Sequence, residues 1–243
     1  MSLASSRPFL LFADLDRKKV PSFDVYPFDL PAVRTLKRLK FHPAVTFIVG
    51  ENGSGKSTLL EAIAIRFGFN AEGGSKNFKF ETHASHSELW QCLKLARGIL
   101  RPKDGFFLRA ESFFNVATYV QELGVTGYGE SSLHEQSHGE SFWSLLMKRF
   151  RGQGLYIMDE PEAALSPSRQ LAMLVRLHDL VRGGSQFIIA THSPIIMAYP
   201  NAVILHLAEH GLEPVRYEDT EHYNLTRRFL ENPQRYLKEL FKE

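Results

Sequence analysis

The sequence predicts an α/β fold. Short apolar, β-favouring runs at Ala44 to Gly50, Leu155 to Glu160 and Gln186 to Ser193 are separated by helical patterns at Lys56 to Phe67, Glu140 to Phe150 and Ser166 to Gly184. That alternation is the order of elements that builds a largely parallel sheet covered by helices. A second observation points the same way: the polar residues with chemical potential sit just past the ends of the apolar runs, where α/β sheets place ligands.

Taken in order, Arg7 to Asp16 is dense in apolar residues and reads as an early strand. Arg17 to Pro31 is rich in Pro and Asp and reads as loop. Ala32 to Phe41 spaces Val33, Leu36 and Leu39 at helical intervals between basic residues, which predicts a short amphipathic turn or helix. Ala44 to Gly50 is nearly continuous in apolar residues, as in a strand buried on both faces. Leu59, Leu60, Ile63 and Phe67 can then share one helix face. Asn70 to His86 is polar and reads as a loop or small hairpin, and Ser87 to Leu100 as a helix. Gly105 to Gly124 predicts a strand passing into a helix, followed by a Gly- and Ser-rich stretch. Asn201 to Asp219 predicts a final hairpin, and Thr220 to Glu243 a charged helical tail.

Composition narrows the class. The 243 residues are 44% hydrophobic and 23% charged, enough for a core without staples. A net charge of +2 gives no global field toward nucleic acid or lipid. The basic segments Arg34 to Lys40 and Lys148 to Arg151 read as solvated helix faces. Cys92 is the single cysteine, so neither an intrachain disulfide nor a cysteine-built zinc site is available. The start reads as no signal peptide and no run is long enough for a membrane span, so a cytoplasmic protein is expected. One domain over residues 1–243 is expected, with a lobe at about 70–150 inserted in it.

Three strings carry chemistry. Gly50-Glu51-Asn52-Gly53-Ser54-Gly55-Lys56-Ser57 fits the G-x-x-x-x-G-K-[ST] phosphate-loop pattern, between a strand and a helix. Its glycines let backbone N–H groups surround phosphate oxygens, and the helix adds the positive end of its dipole. Lys56 would reach the β- and γ-phosphates and Ser57 would ligate magnesium. Asp159 and Glu160 close an apolar strand, the first placed to hold magnesium and the second to orient and deprotonate water. His192, just past another strand, is placed to bond the γ-phosphate.

With these three strings in this order, the sequence resembles the ATP-binding-cassette ATPases. "GENGSGKST" is similar to Walker A, "LYIMDEPEAALSP" to Walker B with the catalytic glutamate and D-loop, and "ATHSP" to the switch histidine. "SHGES" stands at the signature position, with Ser137 and Gly139 matching its serine and second glycine and Glu140 in the glutamine place. The resemblance implies a P-loop NTPase fold, an ABC-ATPase-like mixed sheet core with a helical subdomain. It implies ATP and magnesium as cofactors, and an ATP-dependent head-to-tail homodimer. Glu51, Asn52, Gly53, Ser54, Gly55, Lys56, Ser57 and Thr58 would bind nucleotide in cis, and Ser137, Gly139 and Glu140 in trans. Lys56, Glu160 and His192 would be catalytic. Glu111 stands where the family has its Q-loop glutamine and, with Ser57 and Asp159, would approach the metal.

The forms "SHGES" and "DEPEAALSP" depart from those common in transporters. The sequence looks more like small soluble ATPases related to the SMC and DNA-repair branch. DNA or a DNA-processing protein is therefore the expected partner, ahead of a membrane permease. A nucleotide-switched scaffold with little turnover is the alternative. For base contact, Phe23, Tyr26, Phe28, Arg17 and Lys18 are candidates.

Overall fold

The computed structural model describes residues 8–71, 73–74, 87–109, 138–208 and 210–242, with side chains undescribed at 138–140. The strands are β1 (Leu10–Leu15), β2 (Arg38–Lys40), β3 (Val45–Gly50), β4 (Leu93–Arg97), β5 (Asp104–Arg109), β6 (Gly154–Asp159), β7 (Gln186–Ala190), β8 (Val203–Ala208) and β9 (Gly211–Val215). The helices used below are α1 (Pro31–Arg34), α2 (Lys56–Phe67), α3 (Leu89–Cys92), α4 (His138–Lys148), α5 (Pro167–Arg182), α6 (Pro194–Met197), α7 (Glu221–Glu231) and α8 (Pro233–Phe241).

The main sheet runs β5-β6-β7-β3-β8-β9, parallel except for β9, which closes the β8–β9 hairpin. Every residue of β3, β6 and β7 is buried, which explains why these strands read as unbroken apolar runs rather than alternating ones. Their side chains divide by the pleat. Phe47, Tyr156, Phe187 and Met158 face a core closed by α4 and α5 through Phe142, Leu145, Met173 and Leu177. Ile48, Ile157, Ile188 and Leu205 face the opposite core, closed by α2 through Leu59, Leu60 and Ile63. The result is the mixed α/β P-loop NTPase architecture that the motif order implies.

A second, antiparallel sheet, β2-β1-β4, packs over α2 on that second face. It corrects two expectations. The turn or helix expected over 32–41 is confined to α1, and Arg38–Lys40 forms an edge strand paired with β1. The helix expected over 87–100 is one turn, α3, after which Leu93–Arg97 pairs with β1 in turn. Arg38-Leu39-Lys40 and Leu93-Lys94-Leu95 also alternate with period two, and the partner strand supplied from Leu10–Leu15 decides between the periods. Within the span expected as an inserted lobe, β5 joins the main sheet and α4 covers it, while residues 110–137 lie outside the described set.

Gln186 joins the two sheets. Buried at 1% exposure, its Oε1 accepts from the N–H groups of Phe9 and Leu10, both at 2.9 Å. Its Nε2 donates to Leu10 O at 2.8 Å and His42 O at 3.0 Å. All the amide's hydrogen-bonding capacity is thus spent on main chain of the neighbouring layer.

Candidate functional site

The C-terminal ends of β3, β6 and β7 lie side by side, and each delivers part of the site. β3 ends at Gly50, whose φ of +151° and approach to Leu207 leave no room for a side chain: a Cβ there would sit 2.9 Å from Leu207 O. The loop then turns into α2 through Gly55, at φ +96°, where a Cβ would lie 3.1 Å from Leu30 and 3.2 Å from Ala32. The α1 segment braces the loop as well, since Ala32 N–H donates to Ser54 O at 3.1 Å. Glu51, Asn52 and Gly53 are exposed, Ser54, Gly55, Ser57 and Thr58 partly so. No side chain caps α2, so its first-turn N–H groups face the loop as an anion site.

Lys56 is buried beneath the loop, its Nζ donating to Gly50 O at 2.8 Å and Glu51 O at 2.7 Å. Burial lowers its pKa, and the field of Glu160, Asp159, Glu162 and Glu51 opposes that. Ser57 Oγ donates to Asp159 Oδ1 at 3.2 Å, which brings a hydroxyl and a carboxylate to one point. Arg109, at the end of β5, completes this corner, pairing with Glu61 Oε2 at 2.6 Å and lying 3.7 Å from Asp159 Oδ2.

Glu160 takes the left-handed conformation, φ +50° and ψ +53°, at the corner where β6 ends. For a non-glycine residue that is a strained position, held here by its N–H donating to Ala190 O at 3.0 Å. The turn leaves the carboxylate 38% exposed, on the open side of the site. Glu162 follows and points the other way. Its Oε1 accepts from His192 N–H at 2.5 Å and its Oε2 from Thr191 Oγ–H at 2.8 Å. Burial raises the Glu162 pKa, and these bonds pull it back. The short Pro161–Ala164 turn and the end of β7 are thereby tied through one side chain.

His192 Nε2 is buried, without a hydrogen-bond partner among the described residues, and 3.5 Å from Glu160 Oε1. Its Nδ1 is 2.8 Å from His222 Nε2, on α7. Burial lowers the pKa of both rings, and Lys56 adds to the effect in each.

The structure thus brings Lys56, Ser57, Asp159, Glu160 and His192 together. Gly139 and Glu140 lie in the first turn of α4, while Glu111 and Ser137 lie outside the described residues. Of the base-contact candidates, Phe28 is buried in the core, and Arg17 lies over the Phe23 ring at 4.5 Å. Sequence reasoning missed Arg109, Glu162 and His222. For Glu162 the signal was there, a third carboxylate in Asp159-Glu160-Pro161-Glu162. His222 had none, because only the fold brings it beside His192.

The residues fit the groups expected. Hydroxyl and carboxylate oxygens at Ser57 and Asp159 are the hard donors magnesium takes. The uncapped α2 terminus supplies donors suited to phosphate oxygens, and the orphaned Nε2 of His192 is a further donor when it carries the ring proton.

A family profile described as "AAA domain" matches residues 30–117, and one described as "AAA domain, putative AbiEii toxin, Type IV TA system" matches 141–198. The chain is 26% identical over 171 residues to the ABC transporter G family member STR2 of Medicago truncatula, covering 62% of this chain and 24% of that protein. It therefore spans about a quarter of the length of the curated relatives it matches. The SMC head domain from Thermotoga maritima superposes with a TM-score of 0.42 and 17% identity, over 74% of this chain and 93% of that one. CbiO1 from Clostridium perfringens, part of the ABC transporter complex cbiONQ, gives 0.45 and 18%, over 86% and 92%. With the loop geometry, the two profile matches mark the chain as similar to P-loop NTPase domains, whose general activity is nucleotide binding.

Proposed function

We propose that the chain hydrolyses ATP with magnesium. The observation that carries this reading is the convergence of Lys56, Ser57, Asp159, Glu160 and His192 at three adjacent strand ends. Lys56 and the N–H groups of residues 51–58 bind the β- and γ-phosphates. Ser57 and Asp159 would hold magnesium, and the Q-loop place assigns Glu111 to the same metal. Magnesium supplies charge neutralisation on the phosphate oxygens. Glu160 orients a water and takes its proton as the water oxygen bonds to the γ-phosphorus. The bond from that phosphorus to the β–γ bridging oxygen breaks, leaving ADP and phosphate. His192 Nε2–H donates to the γ-phosphate as charge develops there.

The same reading places a second copy head to tail, with Ser137, Gly139 and Glu140 reaching the γ-phosphate in trans. Its load is DNA maintenance or defence rather than a permease, on the departures of "SHGES" and "DEPEAALSP" from the transporter forms. No described helix is long and apolar enough to cross a membrane. The test is titration calorimetry with ATP. Binding should need magnesium and weaken about tenfold or more in Lys56→Ala. Binding that ignores both Lys56→Ala and chelation overturns the site. ATP-dependent recovery of a permease rather than a DNA-processing protein overturns the load.

A further inference from the structure

His222 has no place in the motifs above, yet it makes the one hydrogen bond to the His192 ring found among the described residues. Its position is fixed from several sides. The Thr220 side chain caps α7, accepting from Tyr223 N–H at 3.4 Å and donating to Tyr217 O at 2.8 Å. Tyr217 packs on Tyr223 with ring centroids 4.6 Å apart, and its hydroxyl donates to Pro194 O at 2.9 Å. Helix α7 therefore starts docked on the segment that follows His192, and its second residue meets the His192 ring.

The chemistry of that contact is constrained. A hydrogen bond between two imidazole nitrogens needs one proton, so one ring donates and the other accepts. Both rings are partly buried near Lys56, which disfavours a second positive charge. Glu160 and Glu221 work against that, and His206 adds to it at His222. With the pair neutral, two arrangements remain. If His192 donates from Nδ1, its buried Nε2 is a bare lone pair facing the Glu160 carboxylate. If His222 Nε2–H donates, His192 Nδ1 accepts and the His192 proton sits on Nε2, facing Glu160 Oε1 at 3.5 Å. Only the second avoids two lone pairs turned toward each other.

We propose that His222 is a positioning residue for His192: its Nε2–H holds the His192 ring in the tautomer that carries the proton on Nε2, aimed into the phosphate site. The pairing is a property of the protein alone, while its use in turnover rests on the ATPase reading. The same bond makes α7 part of the site's framework.

The test uses two variants. His222→Phe keeps a ring against His192 and removes the donor. His222→Gln places an amide N–H close to where the imidazole Nε2–H lies. Imidazole nitrogen NMR on the ATP-free protein should show His192 in one tautomer, Nδ1 bare and Nε2 protonated, in the parent and in His222→Gln. In His222→Phe it should show a mixture. Turnover should fall in His222→Phe by on the order of 10-fold to 100-fold, the range for partners that orient functional histidines at metal sites. KM for ATP should stay within about threefold, as a loss confined to the reaction step requires, and His222→Gln should recover most of the rate. A His192 spectrum with the proton on Nδ1, or one that His222→Phe leaves unchanged, overturns the pairing. An unchanged kcat in His222→Phe overturns its role in turnover. If the parent fails to bind ATP, the ATPase reading falls instead, and the spectra still decide the pairing.

Discussion

The two sheets of this molecule are built on opposite rules. In the main sheet β3, β6 and β7 are buried along their whole length. Polar function is therefore confined to strand ends, where Gly50, Asp159 and Ala190 lead into Lys56, Glu160 and His192. The small sheet alternates, as Arg38, Leu39 and Lys40 show, and its charges meet across the strands in the exposed Asp14–Arg38 pair. A parallel sheet covered on both faces concentrates chemistry at one edge, whereas an antiparallel sheet with one wet face scatters its polar groups along the strands. Gln186 joins them, a polar side chain inside the buried sheet whose amide is bonded to the main chain of Phe9, Leu10 and His42.

The comparison can be broken at that joint. Gln186→Leu should destabilise by about 3–5 kcal/mol in urea unfolding, because it strands main-chain donors and acceptors around a side chain of similar size. A loss below about 1 kcal/mol would show that the sheets do not depend on the joint. The next largest effect belongs to the edge that carries the site. Glu162→Ala should cost about 2–3 kcal/mol by orphaning Thr191 Oγ–H and His192 N–H, while Glu162→Gln, whose oxygen accepts from His192 N–H and whose amide donates to a turned Thr191 hydroxyl, should stay within about 1 kcal/mol.

Acidification should have a smaller effect. Burial lowers the pKa of His42, His192 and His222 below their usual 6.5. Below 6.5 the unfolded chain binds protons that the folded chain refuses, so stability falls as pH drops from about 6.5 through that window. Glu162 has the opposite sign. Its raised pKa favours the fold at low pH, and that contribution is lost as pH rises through its folded value. Glu162→Gln should therefore lose thermal stability more steeply than the parent as pH falls from 6.5 toward 4.5, in melts taken at intervals of about half a unit. The smallest effect belongs to the small sheet's surface. Asp14→Asn breaks an exposed ion pair and should leave Tm within about 2 °C.

How much was legible in the sequence follows from the same contrast. Strands buried on both faces announce themselves as apolar runs; Lys56 is legible from the phosphate-loop pattern, and Asp159, Glu160 and His192 from their places at or just past strand ends. The small sheet was not legible, because 32–41 and 87–100 satisfy a helical and an alternating period at once. The choice between periods is made by β1, distant in sequence. Among the site residues, His222 lay beyond reach for a related reason. A histidine in a charged tail acquires meaning only when α7 docks beside the end of β7.

Glu160, held in a strained turn at the end of β6, is the residue proposed to take the proton of the attacking water. The measurement is steady-state phosphate release from ATP with magnesium, parent against Glu160→Gln. Turnover should fall by about 100-fold or more, the scale of a lost general base, with ATP affinity within about threefold of the parent. Turnover that survives the substitution unchanged would show that Glu160 is not the base.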